Sequence, residues 1–152
     1  MRRPPSTVPD REELRRESML VRANTRASLM SDTKWRKLLS AMDDAELELR
    51  RCVVKFVGNP NEQVMTRPGG LYLAHPWVDT FRFGPIPLRS IEWLLFPRVA
   101  EIRDVDRTIP SRYVTQHVDA AARIIEGLGK YPVELSDRGL LITGYLPQAV
   151  SA

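Results

Sequence analysis

At 152 residues, with 43% hydrophobic and 28% charged side chains, the chain has the size and composition of one globular domain that buries its own core. A single cysteine, Cys52, excludes an internal disulfide framework and suits a reducing compartment. The formal charge of +4 divides evenly: residues 1–32 hold seven arginines against five acids, and residues 33–152 hold sixteen basic against fourteen acidic side chains.

Charges so interspersed argue against a dedicated nucleic-acid face, unless folding gathers a patch. No apolar run approaches the roughly 18 residues that span a bilayer, so no membrane partner is expected. The arginine-rich start also lacks the apolar stretch of a secretory signal, and a cytoplasmic protein is expected.

Residues 1–10, MRRPPSTVPD, carry three prolines and no periodic pattern. Residues 11–29 contain only scattered apolar side chains. The expectation is a flexible basic arm over 1–29, with a loose helix near 11–23 supported by Glu–Arg pairs. Met30 reads as a natural start, which leaves the arm open to two readings, an extension or a mis-assigned gene start.

Trp35, Leu38, Leu39 and Met42 then fall at i, i+3, i+4 and i+7, the stripe of an amphipathic helix over about 32–45. Ser31 or Asp32 can cap it, and Lys34, Arg36 and Lys37 take the solvated side. Acids from Asp43 to Glu48 collect where the helix dipole disfavours them, so a break is expected between 44 and 49.

Cys52–Val57 is a β-rich run closed by a Gly58-Asn59-Pro60-Asn61 turn. Pro68-Gly69-Gly70 is a loop, and 71–73 and Thr80–Phe83 read as strands that Pro76 keeps apart. Gly84-Pro85-Ile86-Pro87 reads as a break. The apolar run Ile91–Phe96 suits a central strand covered on both faces, or a strand end that meets the core. Val114, Val118, Ala121, Ala122, Ile125 and Leu128 predict a second helix over about 112–128, ended at Gly127 or Gly129. Val133–Leu135 and Leu140–Tyr145 flank Ser136-Asp137-Arg138-Gly139, a type I turn signature in which Gly139 supplies positive φ. The resulting fold class is α+β: a single two-layer domain over 30–146, mainly an antiparallel sheet with two principal helices and a C-terminal hairpin, followed by a tail at 147–152.

Thr33-Lys34-Trp35, Ile91-Glu92-Trp93 and a closing helix and hairpin ending in Gly144-Tyr145 occur in that order. Together they resemble a group of small bacterial proteins known only as a domain of unknown function. The resemblance covers roughly 33–146, matches poorly over 51–89 and has no counterpart of the arm. It implies a cytoplasmic setting and carries over no catalytic residue.

His75 and His117 are the only imidazoles. His75, Trp77 and Asp79 share one proline-stiffened loop, where Asp79 could orient the imidazole and Trp77 face a planar ligand. The plainer reading packs Trp77 inward and solvates His75. His117, early in the second helix, reads as a boundary residue. No Cys-x-x-Cys or His-Glu-x-x-His spacing is present, and no metal or cofactor is implied. Cys52, inside a hydrophobic strand, reads as an inert buried thiol. The charged run Glu101–Arg107 reads as a solvated edge with local ion pairs. Trp35 and Trp93 read as core anchors.

Three function classes follow. The first is a non-catalytic protein-binding module, immunity-like or an adaptor, whose contacts come from Tyr72, His75, Trp77, Asp79 and Arg82. The second is a nucleic-acid-associated regulator using the arginine-bearing arm and the basic side of the first helix. The third is a small-ligand binder or enzyme built on His75, Trp77 and Asp79.

Overall fold

The computed structural model describes residues 8–69, 71, 75–103 and 105–148. Among them are three α-helices, α1 (Arg11–Asn24), α2 (Asp32–Asp44) and α3 (Val118–Leu128). The strands are β1 (Thr25–Ser28), β2 (Arg51–Phe56), β3 (Glu62–Thr66), β4 (Trp77–Thr80), β5 (Gly84–Pro87), β6 (Ile91–Pro97), β7 (Val99–Ile102), β8 (Arg112–Thr115), β9 (Val133–Leu135), β10 (Gly139–Thr143) and β11 (Tyr145–Pro147). A five-stranded antiparallel sheet, ordered β3-β2-β6-β10-β9, carries the core, and the pairs β1–β11, β4–β5 and β7–β8 surround it. The class is α+β, as the sequence implies.

Helix α2 forms where the apolar stripe predicts. The Ser31 hydroxyl accepts the Lys34 N–H at 3.1 Å, satisfying one of the free donors of the first turn. All four stripe residues, Trp35, Leu38, Leu39 and Met42, are buried. Helix α3 buries Val118, Ala121 and Ile125 beside it. Both helices join one cluster with Cys52, Val54, Met65, Leu94, Phe96, Leu140 and Ile142 from the sheet. The period of two along each strand puts these on one face. Val54 pairs with Leu94, Leu94 with Ile142 and Leu140 with Phe96, so the apolar rows meet across the strands.

The strand β6 is central, and it contains a correction. Phe56 pairs with Ile91 while Lys55 pairs with Trp93, so Glu92 is an extra residue on β6. Such a β-bulge resets the alternation. It lets Ile91 join Leu94 and Phe96 in the core and leaves Trp93 on the other face, where it is half-buried. Trp35 is therefore a core anchor and Trp93 is not. Glu92 itself is buried and holds Lys55 Nζ at 3.0 Å.

Four further expectations are corrected. The arm carries its expected helix as α1, but it also forms the strand β1 over 25–28, which pairs with β11 and ties the arm to the end of the domain and the start of the expected tail. Asp10 caps α1 by accepting the Glu13 N–H at 2.8 Å. Residues 112–115 are the strand β8 paired with β7, so α3 begins only at Val118. Thr80–Phe83 is mostly a turn between β4 and β5, and Gly84–Pro87 is a strand instead of a break. Asp79 gives its backbone N–H and C=O to Gly69, so the register pair Asp79–Pro85 needs no hydrogen bond from residue 85. Pro85 and Pro87 share that parity, and the ladder tolerates both. The last correction is β3, an added edge strand whose Met65 points inward and whose Val64 is exposed.

Polar side chains seal the seams. Gln116 is buried beyond the start of β2; its Oε1 accepts the Arg51 N–H at 2.9 Å, and its Nε2 donates to the carbonyls of Arg51 at 3.0 Å and Pro97 at 2.9 Å. Arg89, in the 3-10 turn Leu88–Ser90, donates to Ser18 Oγ of α1 at 3.1 Å and pairs with Asp32 at 3.3 Å. Arg36, expected on the solvated side, instead donates to the carbonyls of Leu71, His75 and Trp77 at 2.7, 3.2 and 3.5 Å. It turns the first half of α2 into a clamp on the loop that precedes β4.

Candidate functional site

The loop singled out by the sequence leads into β4 and becomes one arm of the β4–β5 hairpin. His75 and Trp77 stack, with ring centroids 4.0 Å apart and planes 3° from parallel. The His75 Nδ1 lies 2.8 Å from the Trp77 carbonyl oxygen. A carbonyl only accepts, so this nitrogen carries the proton. The imidazole is thus oriented by a backbone carbonyl and not by Asp79, whose side chain is exposed on the same strand. Trp77 is half-buried and opposite Pro87. Tyr72 lies outside the described residues.

Thr80 fixes the tip of the hairpin. Its hydroxyl accepts the Phe83 N–H at 2.9 Å and donates to the Gly84 carbonyl at 2.8 Å, while Gly84 takes the positive φ of +68° that the turn requires. Phe83 folds inward, edge-on to Phe56 at 5.4 Å. Arg82 donates to the Val64 carbonyl at 2.8 Å and lies over the Phe83 ring at 5.0 Å. Phe81, just before Arg82, is 94% exposed. Sequence reasoning missed Phe81 because a strand over 80–83 would place it on an ordinary pleated face. The signal available was an aromatic on either side of Arg82 just before a glycine, the composition of a tight turn.

Inward of this tip, the hairpin and α1 enclose a cleft of about 480 Å³, lined by Glu13, Glu17, Phe56, Arg82, Phe83 and Ser90 among others. It combines an aromatic wall with carboxylates and can hold a side chain or a small amphiphile. It contains no histidine or cysteine. Cys52 is buried elsewhere, and desolvation pushes its thiol up to about 12 against the pull of Arg67 and Arg51, so it holds its proton and does not act as a nucleophile at neutral pH.

The remaining candidates serve structure. His117 accepts the Glu48 N–H on its Nδ1 at 3.3 Å while its backbone N–H donates to the Glu48 carbonyl, a two-bond tie at the head of α3. In the charged run, Glu101 pairs with Arg103 at 3.0 Å, and Thr108 donates its backbone N–H and its hydroxyl to Asp106, holding that carboxyl below its usual range. Asp104 lies outside the described residues. Among the described residues no three His, Cys, Asp or Glu side chains converge as a metal site. No helix among them is long and apolar enough to cross a membrane.

A family model described as Family of unknown function (DUF6678) matches residues 18–149. The match starts inside α1, so it takes in residues 18–29, the C-terminal part of the segment expected to be an arm. No curated protein and no solved structure matches the chain.

Proposed function

Since the chain belongs to DUF6678, a family whose function is unknown, its role is read from its surface, and we propose that it is a non-catalytic protein-binding module of the bacterial cytoplasm, immunity-like or an adaptor, with the β4–β5 hairpin as its recognition element. The observation that carries this reading is Phe81. A phenylalanine ring almost wholly in water gains nothing for the fold, and it stands at the tip of a hairpin held rigid by Thr80, by the Gly69–Asp79 bridge and by the Arg36 clamp. A rigid aromatic anchor loses little entropy on docking, which is how a few residues come to dominate an interface. The partner fitting this tip is a protein surface with an apolar pocket for Phe81 beside a carboxylate for Arg82. Trp77 and His75, stacked behind the tip, stiffen its base and flank the contact.

A photo-crosslinking residue placed at 81 in cells, with a control at the exposed Glu134, tests this. The expected result is one discrete protein adduct from position 81 and none from position 134. The same diffuse pattern from both positions would overturn the reading.

A further inference from the structure

We propose that a groove along α1 binds the phosphate backbone of nucleic acid through Arg11, Arg15, Arg22 and Arg89. The surface lies apart from the hairpin tip, and the inference goes beyond the protein-binding role.

Folding gathers here what the sequence disperses. At about 100° per residue, Arg11, Arg15 and Arg22 fall within roughly 40° of one another on the helix, with Ser18 beside them. Arg89 approaches from the 3-10 turn and is fixed by Ser18 and Asp32. The four guanidiniums, with Leu14 and Ser18, line a groove of about 550 Å³. It runs on past Arg22 and Arg89 into a second stretch of about 370 Å³ that includes Ser28, Ser31 and Tyr145.

The side chains lining the groove are one-sided in charge, although Glu12 stands on the helix within about 60–100° of the row. Among the described residues no carboxylate lines the first stretch, and the only one lining the second is Asp32, which Arg89 already holds. Glu13 and Glu17 of the same helix line the cleft on its other flank. Arg11, Arg15 and Arg22 are all exposed.

From Arg11 to Arg22 the helix rises about 16 Å. One nucleic-acid strand advances about 3.4 Å per base step, so the row faces about five phosphates. Arginine is suited to this because its planar fork pairs with phosphate through two parallel N–H donors. No aromatic side chain in the groove is free to stack on a base, since the Tyr145 hydroxyl is tied to the Arg89 carbonyl at 2.9 Å and the residue is buried. The contact is therefore with backbone, independent of base sequence. Protein hot spots combine arginine with aromatic anchors, and among the described residues this row offers no free aromatic.

The test is fluorescence anisotropy of a labelled 20-base-pair duplex with the full chain at several salt concentrations. With three to four phosphates neutralised, log K should fall against log salt with a slope of about −3 to −4. Arg15→Gln and Arg22→Gln should each weaken binding and reduce that slope by about one. Arg16→Gln, on the far side of the helix, should change neither. Matched melting curves for the three variants show that the fold is intact. Absence of binding at 50 mM salt would overturn the proposal. Equal effects of Arg16→Gln and Arg15→Gln would also overturn it, by showing only diffuse attraction to a basic chain. Polyglutamate binding as tightly as the duplex would overturn it too, in favour of an acidic protein ligand.

Discussion

Helices α1 and α2 follow one another in the chain and are nearly equal in length, 14 and 13 residues, yet α2 buries Trp35, Leu38, Leu39 and Met42 while α1 buries no residue. Their caps are equivalent, since Asp10 and Ser31 each accept an N–H three residues on. Local helix signals therefore do not separate them; the apolar stripe does. Helix α2 exists because burying that stripe offsets its ordering entropy. Helix α1 is held by point contacts, chiefly Ser18 on Arg89 and the β1–β11 pairing that follows it. One helix makes the core and the other presents a surface. The same division runs through the sheet, whose helix-covered face is sealed while Trp93 and Val64 remain partly or largely exposed on the other.

The largest effect should come from striking the covered side. Trp35→Ala removes a buried ring and should cost about 3–5 kcal/mol in urea unfolding. Trp93→Ala, on the open face, should cost less than half of that. Equal losses would erase the distinction between the faces.

Gly139 tests the other end of the core. Its φ is +145°, and a β-carbon there would meet the Phe96 carbonyl oxygen and lie 2.8 Å from the Pro97 Cα. Both are backbone atoms that cannot swing aside, so Gly139→Val should cost more than about 1 kcal/mol. Arg138→Ala, one residue earlier, breaks an exposed pair with Glu62 and should cost under about 1 kcal/mol.

The N-terminal segment divides by the same logic. Deleting residues 1–24 removes a helix with no buried residue and should lower the melting temperature by only a few degrees. Deleting 1–29 also removes β1, which covers β11 and the buried ring of Tyr145, and should lower it distinctly further. Identical melting temperatures for the two deletions would show that β1 adds nothing.

A further stability effect is the alkaline one. Burial, the neighbouring Asp32 and Glu17 push the Tyr145 phenol from 10.0 to about 12 despite Arg89. The folded state holds this proton more tightly than the unfolded chain. Its contribution is therefore fully present below pH 10 and is lost as the pH rises toward about 12. Tyr145→Phe should flatten the stability profile in that window and cost about 1 kcal/mol at neutral pH for the lost hydrogen bond to Arg89.

How legible each part was follows from how each is held. The α2 and α3 stripes, the central strand β6 and the turn before Gly139 are visible in the sequence because periodicity and turn chemistry are local. The start of α3 is not. Val114 continues the helical spacing of Val118 and Ala121, but pairing with β7 overrides it and Gln116 turns its amide to the sheet. The Glu92 bulge is equally silent, and without it Trp93 and Ile91 share a face. In the candidate site, Trp77 and His75 stand together as their spacing suggests, yet the group orienting the imidazole is a carbonyl that no side-chain pattern reveals. The arginine row on α1 was obscured by overall charge balance, because its helix carries Glu12, Glu13 and Glu17 as well. The helical turn carries Glu13 and Glu17 to the other flank.

The account rests on a core that folds and a hairpin tip that binds, and one paired measurement tests this most directly. Phe81→Ala and Trp35→Ala are each melted, and each is titrated with the protein captured at position 81. Phe81→Ala should keep the wild-type melting temperature within about a degree and lose more than about 1 kcal/mol, or several-fold, in affinity. Trp35→Ala should lose its fold with or without the partner. A Phe81→Ala variant that binds as tightly as wild type, or that unfolds with Trp35→Ala, would contradict the assignment of the hairpin tip.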